Sequence, residues 1–388
     1  EPHSRAALDW ALDLAARPGG AGQGARAYGW RVNSIQDGAE VDAEVDVLVW
    51  SDIVRTSMEH GIARTYWIMA RTAWVYIGTG ALARLMRLRK GPVIAALYPV
   101  GMLILQAVAA VLAGVLVALI VTWAMGWIGG IGPGGRALGQ WLAAGLGGLA
   151  GLAVLKHFKN VDNRLYVYYL MHDYAYSAAT RGANPPELEA RLAGFADRIT
   201  EALEGDADEV LVVGHSSGAH LAVSVLADLH RAGRIAKNGP RLALLTLGQV
   251  VPMVSFLPDA HRLRGDLAYL AAADIAWVDV TAPGDGCAFA LCDPVAVTGV
   301  APEDKRWPLV LSAAFTQTLS PDRWKALRWR FFRLHFQYLC AFDRPGDYDY
   351  FRITAGPLSL ATRYRGRAPS ASRIETPLSG YRDGPCDG

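Results

Sequence analysis

Little in this chain is charged. Asp, Glu, Lys and Arg make up 19% of its 388 residues, against the ~25% usual for soluble domains. Mean hydropathy is +0.18, so part of the apolar content must sit outside an ordinary core. Cysteine is scarce: Cys287, Cys292, Cys340 and Cys386 are all there is, which argues against a disulfide framework in so long a chain. No His or Cys pair beside Cys287 and Cys292 completes a zinc pattern, and neither metal nor cofactor is expected. Net charge is only +2, and no dense Lys/Arg patch with interleaved aromatics marks a nucleic-acid partner. No charged n-region leads into a short apolar stretch and cleavage site, so no signal peptide is predicted. No internal repeat is visible.

Charge is missing altogether from Gly91 to Gly135. A helix needs about 20 apolar residues to cross a bilayer, and this run is longer. Pro99 is expected to end an entry turn before a span from Met102 to Trp127, and "IGGIGPGGRALGQ" reads as a turn. A second, shorter span covers Ala137 to Leu155, rich in Gly and Ala as where membrane helices pack closely. Arg84, Arg87, Arg89 and Lys90 precede this hairpin and Lys156 and Lys159 follow it, while the turn carries only Arg136. The positive-inside bias therefore predicts both ends in the cytoplasm. Upstream, "TYWIMARTAWVYIGTGALARLMRLR" suits either an amphipathic helix on the bilayer surface or a core helix.

Outside the hairpin, apolar runs alternate with helical periodicity. Pro2 to Ala16 reads as a helix, and "YGWRVNSI" and "VDVLVWSDIV" as strands. After the hairpin come "VDNRLYVYYLMHDYAYSA" and "PPELEARLAGFADRITEALE" as helices. "VLVV", "PRLALLTLGQ", "IAWVDVTAP" and "WPLVLSAAF" read as strands separated by helices, and "DRWKALRWRFFRLHFQYLCA" as helical or partly extended. This order implies an α/β fold, a mainly parallel sheet with helices on both faces and a transmembrane helical hairpin inserted into it. The expected divisions are 1–55, the N-terminal part of the catalytic domain; 56–90, the interfacial helix; 91–157, the hairpin; 158–364, the catalytic core; and 365–388, a mobile tail rich in Pro, Ser, Gly and Arg.

"VLVVGHSSGAHLAVSVL", from Val210, carries the chemistry. Four apolar residues run into Gly214, His215, Ser216, Ser217 and Gly218, and an apolar helical pattern follows. G-x-S-x-G between strand and helix is a nucleophile elbow: glycines flank a serine on a strained turn, and the N-terminus of the next helix faces developing negative charge. A serine hydroxyl needs a base and an acid that orients it. In the order Ser, acid, His, Asp285 in "VDVTAPGDGCAF" is the favoured acid, with Asp293 and Asp279 as alternatives. His335 is the only histidine downstream of Asp285. His215 is expected to pack beside the sheet or to position substrate. One oxyanion donor is the N–H of Ser217; the other is expected from a loop that reaches Glu1 or lies upstream of it.

"VLVWSDIVR", "VVGHSSGAHLAV", "TLGQVVPM", "APGDGCAFALCDP" and "LHFQYLCAFDRPGDYDYFRITAGP" together resemble α/β-hydrolases, and within them a group of bacterial membrane-associated members. In that group a first strand ends in a short "GF-acid-Pro" loop. The opening "EPHSRAALDW" is similar to the remainder of such a loop, which implies that the first strand precedes Glu1.

The expected function is a membrane-anchored serine ester hydrolase of esterase or lipase type, acting on a membrane lipid or lipid-like ester through an acyl-enzyme on Ser216. The expected place is the cytoplasmic face of the bacterial inner membrane, multi-pass, with a homo-oligomer contact offered by the hairpin. Two alternatives stay open: an acyltransferase using the same three residues, and a non-catalytic membrane scaffold.

Overall fold

The structure, a computed structural model, describes residues 12–16, 28–50, 52–53, 61–127, 133–236 and 238–383. Two compact units are present, 1–53 with 75–95 and 177–388, and 54–74 with 96–176.

The first unit holds two sheets. β1 (Leu12–Ala16), β2 (Tyr28–Gln36) and β3 (Ala39–Val47) form an antiparallel sheet in that order. Asp37 and Gly38 join β2 to β3 with φ of +52° and +78°, the doubly positive turn that twists with a two-residue hairpin. These strands correct three expectations. Leu12–Ala16 is strand rather than helix, because it pairs with Ala16 opposite Trp30 and Leu12 opposite Ser34; the rest of the expected helix, 2–11, lies outside the described residues. The strand expected over "VDVLVWSDIV" ends at Val47 and begins earlier, at Ala39, where in/out alternation starts. Both strands belong to an antiparallel sheet of their own, not to the parallel one.

The second sheet is parallel. β4 (Glu209–His215), β5 (Arg241–Leu247), β6 (Ala276–Thr281) and β7 (Leu309–Ser312) lie side by side in sequence order. Helices Gly218–Arg231 and His261–Ala272 make the crossovers from β4 to β5 and from β5 to β6, as parallel pairing requires. The register sets His215 beside Leu247, Leu247 beside Val280, and Thr281 beside Ser312. All four strands thus end at one edge, where open α/β sheets place their sites. Leu245, Leu247, Val278, Val280, Phe315, Tyr338, Phe342 and Tyr348 form a buried cluster against this sheet, each such side chain contributing about 1.5–3 kcal/mol.

The "TYWIMARTAWVYIGTGALARLMRLR" segment is two helices. Ile62–Gly78 ends where Gly80 takes a φ of +71°, and Ala81–Leu88 follows. Ala81, Leu85 and Leu88 of the second helix are buried with Phe256, Leu257, Phe289 and Val297, so this part is core. The C-terminal stretch is also docked rather than loose: Ser370 N–H donates to Val310 O (2.9 Å), Ile374 N–H to Leu291 O (2.7 Å) and Leu378 N–H to Val297 O (2.9 Å). Within 365–383 the expected tail thus finds backbone acceptors on the sheet unit; 384–388, with Cys386, lie outside the described residues.

The second unit carries most of two helices long and apolar enough to cross a membrane, Lys90–Trp127 and Gly135–Asn160, of whose most apolar windows only 11% and 17% is buried. A core helix of a soluble protein would be mostly covered. Helix Lys90–Trp127 runs unbroken through Pro99, which corrects the expected entry turn; the single hydrogen bond lost at Pro99 does not outweigh the bonds on either side. The second helix starts at Pro133, so the turn is shorter than "IGGIGPGGRALGQ". The two helices meet through small residues: a Cβ on Gly114 would fall 2.8 Å from Gly147 O, one on Gly147 2.6 Å from Gly114 O, and one on Gly151 3.0 Å from Ala110 O.

Candidate active site

Ser216 follows the last residue of β4 with a φ of +56°, a left-handed conformation that non-glycine residues rarely adopt. Its N–H donates to Leu247 O at 2.9 Å, and its carbonyl accepts from Ala219 N–H at 3.2 Å. The chain therefore turns at once from strand into the helix Gly218–Arg231. The close approach falls on Gly214: a Cβ there would lie 2.7 Å from Gly218 O and 2.8 Å from Ala219 Cα. At Gly218 a Cβ would meet nothing within 4 Å, so of the two glycines flanking the serine only the first is crowded. Ser217 caps the helix with φ −62° and ψ −29°. Its N–H has no acceptor among the described residues and stands at the positive end of the helix dipole. Glu1, the other expected oxyanion-hole position, lies outside the described residues.

Asp285 and His335 come together. Asp285 sits in the loop after β6, and His335 ends the helix Phe331–His335. His335 Nδ1 lies 2.7 Å from Asp285 Oδ2, with both residues buried. Asp285 Oδ1 accepts the N–H of Cys287 at 2.8 Å. Tyr338 donates its hydroxyl to Asp285 Oδ2 at 3.1 Å and accepts the N–H of Ala282 at 2.9 Å. Burial and the neighbouring Asp285 carboxylate hold the Tyr338 hydroxyl well above its ordinary range, so it remains a donor. With Nδ1 engaged, Nε2 is the imidazole atom left for proton transfer. Among the described residues, no hydrogen bond joins Ser216 Oγ to His335. The two are linked through β5: Leu247 O accepts from Ser216 N–H, and the next residue, Gly248, lies against the imidazole. A Cβ on Gly248 would fall 3.1 Å from His335 Cε1 and 2.7 Å from Tyr338 Cε2, and its φ is +53°.

His215 braces this arrangement. Its ring centroid is 4.7 Å from that of His335, and its Nε2 is 2.9 Å from the His335 carbonyl oxygen. Burial first, and then the neighbouring His335, push its pKa down to about 4. His215 is therefore neutral at physiological pH and its Nε2–H donates to that carbonyl.

The other carboxylates do different work. Asp279 is fully buried inside β6, accepts the Thr246 hydroxyl at 2.6 Å, and is pushed up to about 8 chiefly by burial. Asp293 accepts the N–H groups of Val295 and Ala296, both at 3.0 Å, and pairs with Lys305 at 2.7 Å. Neither touches His335. Asp285, Cys287 and His335 place ligand atoms within 4.8 Å of one another. Burial and the Asp285 charge push the Cys287 thiol up, and the Asp285–His335 hydrogen bond fills the space between the other two.

The sequence reading did not single out Tyr338, the bracing role of His215, or Gly248. Tyr338 lies three residues past His335, one turn on, which is the signal that could have found it. Comparison of the chain with protein-family models, with curated proteins and with solved structures yielded no match.

Proposed function

We propose that this chain is a membrane-anchored serine ester hydrolase of α/β-hydrolase type. The observation that carries the reading is the convergence on one sheet edge of a strained serine between strand and helix and a buried Asp285–His335 pair. The elbow sets the half-buried Ser216 at a helix N-terminus, and the acid–base pair is held by Tyr338, His215 and the backbone of Cys287.

In this reaction Ser216 Oγ attacks the acyl carbonyl as His335 Nε2 takes its proton. Asp285 fixes the tautomer and stabilises the imidazolium. The oxyanion faces the N–H of Ser217 and the positive helix end. His335 then protonates the leaving alcohol, and water attacks the acyl-enzyme with His335 again as base. The two long apolar helices favour an acyl substrate drawn from a bilayer. Arg84, Arg87, Arg89, Lys90, Lys156 and Lys159 flank them and favour a cytoplasmic position for the catalytic unit, at the inner membrane of a bacterium as the resemblance to membrane-associated hydrolases implies. Gly114, Gly147 and Gly151 pack the two helices on each other, while Gly101, Gly126, Gly145 and Gly148 meet nothing within 4 Å and leave room for a homo-oligomer contact.

A fluorophosphonate probe tests the reading on detergent-solubilised full-length chain. Labelling that disappears in Ser216→Ala is expected; an unlabelled chain, folded by its thermal transition, overturns it. Product analysis with added alcohols and amines separates hydrolysis from acyl transfer.

A further inference from the structure

Residues 328–333 read RWRFFR, and every one of them is exposed. Trp329 is 72% exposed, Phe331 47%, and Phe336, just past His335, 53%. Arg328 stacks over the Trp329 ring at 5.6 Å, and Trp329 meets Phe331 edge-on at 6.5 Å. Among the described residues no carboxylate pairs with Arg328, Arg330 or Arg333. A surface that faces only water has no reason to show clustered aromatics with unpaired guanidiniums. Alternating aromatic and basic residues match the two layers of a bilayer interface, where ring bodies enter the acyl boundary and cationic heads stay with phosphates.

Position decides which partner this patch fits. Phe331 packs on the catalytic loop: a Cβ on Gly286 would fall 3.3 Å from Phe331 Cδ1. The first turn of the long apolar helix packs on the same residue, since a Cβ on Gly91 would fall 3.1 Å from Gly286 O. Arg89, just before that helix, donates its Nε–H to Ala290 O at 3.0 Å. Arg87 and Lys90 are exposed there. The aromatic–arginine patch and the start of a helix suited to a bilayer therefore meet on one loop, next to Asp285. We infer that residues 328–336 form a lip that docks on the anionic lipid surface and opens the His335 side of the site to acyl chains.

The inference rests on the membrane-hydrolase reading for its purpose, but its test needs no turnover. The full chain, with Cys340 and Cys386 changed to Ser, is reconstituted in nanodiscs of phosphatidylcholine alone or with phosphatidylglycerol. A polarity-sensitive dye is attached at Trp329→Cys and, as a comparison, at Asp206→Cys. The expected result is a blue-shifted emission at 329, quenched by headgroup-proximal spin-labelled lipid, stronger with phosphatidylglycerol and absent at 206. Each arginine changed to Gln should lower the docked-to-undocked ratio about fivefold. Trypsin on the unsubstituted chain gives a second readout, with cleavage after Arg328, Arg330 and Arg333 suppressed in the anionic discs. Emission at 329 that stays water-like, or equals itself in both lipids, overturns the proposal, as does equal cleavage in both. A chain that shows the shift but never reacts with fluorophosphonate fails as a hydrolase and keeps its lip.

Discussion

Tyr338 holds Asp285 from the side opposite to Cys287: its hydroxyl is 3.1 Å from Asp285 Oδ2, the oxygen that also accepts His335 Nδ1–H at 2.7 Å. One carboxylate oxygen thus serves two donors. Removing the Tyr338 donor strengthens what remains. Tyr338→Phe is nevertheless expected to lower kcat about tenfold with KM unchanged, because Asp285 loses the donor that positions it against His335, an effect on the scale of one hydrogen bond to a charged group. A carboxylate with one donor fewer binds the imidazolium more tightly. The acid limb of the kcat/KM profile therefore moves to higher pH, a shift that a purely structural role would not produce. An unmoved limb with a lowered thermal transition would reduce Tyr338 to packing.

Ser216→Ala removes the proposed nucleophile and leaves the turn. Ester hydrolysis should fall about 10⁴-fold or more, with the thermal transition kept because the left-handed backbone at residue 216 is unchanged and only the hydroxyl is lost. Equal loss in Asp285→Asn, where the imidazole takes the wrong tautomer, would show the three residues acting as a unit. Activity surviving in Ser216→Ala would move the chemistry elsewhere.

Gly214 and Gly218 look alike in the pattern G-x-S-x-G and differ in space. Gly214→Ala drives a methyl to within 2.7 Å of Gly218 O, and overpacking of this kind costs about 1–3 kcal/mol. Gly218→Ala meets nothing within 4 Å and gains about 0.5–1 kcal/mol of helix preference. Thermal transitions of the two variants should therefore move in opposite directions. A similar fall in both would mean that the helix start is as crowded as the strand end.

Some of this was legible in the sequence and some was not, for physical reasons. The elbow is local: apolar strand, glycine, serine, helix are contiguous, so Ser216 could be found without knowing the fold. Asp285 and His335 followed from chain order and from the scarcity of histidine. The antiparallel sheet was misread because Asp37-Gly38, a strong hairpin signal, was passed over in favour of the more apolar "VLVW". In the tail, Pro, Ser and Arg resemble a disordered stretch, while Ile374 and Leu378 donate to backbone acceptors on Leu291 and Val297 that no local pattern announces. Tyr338 and His215 serve the site through contacts set by tertiary packing, which periodicity does not carry.

Asp279 makes stability depend on pH. An unfolded aspartate titrates near ~3.9, whereas burial pushes Asp279 up to about 8 in the folded chain, with the nearby Asp293 charge adding to it. Between those pH values the native state holds a proton that the unfolded state has released. Stability therefore falls as pH rises from about 4 to about 8, and above that the cost is complete. Asp279→Asn keeps the shape and the acceptor for the Thr246 hydroxyl but cannot ionise. Its thermal transition should equal that of the parent below about pH 4, exceed it by a growing margin as pH rises, and the margin should level off above about pH 8. A difference that stays constant across the range would mean that the carboxyl is ionised and satisfied throughout, and that the buried Thr246–Asp279 pair does not set the alkaline limit of the fold.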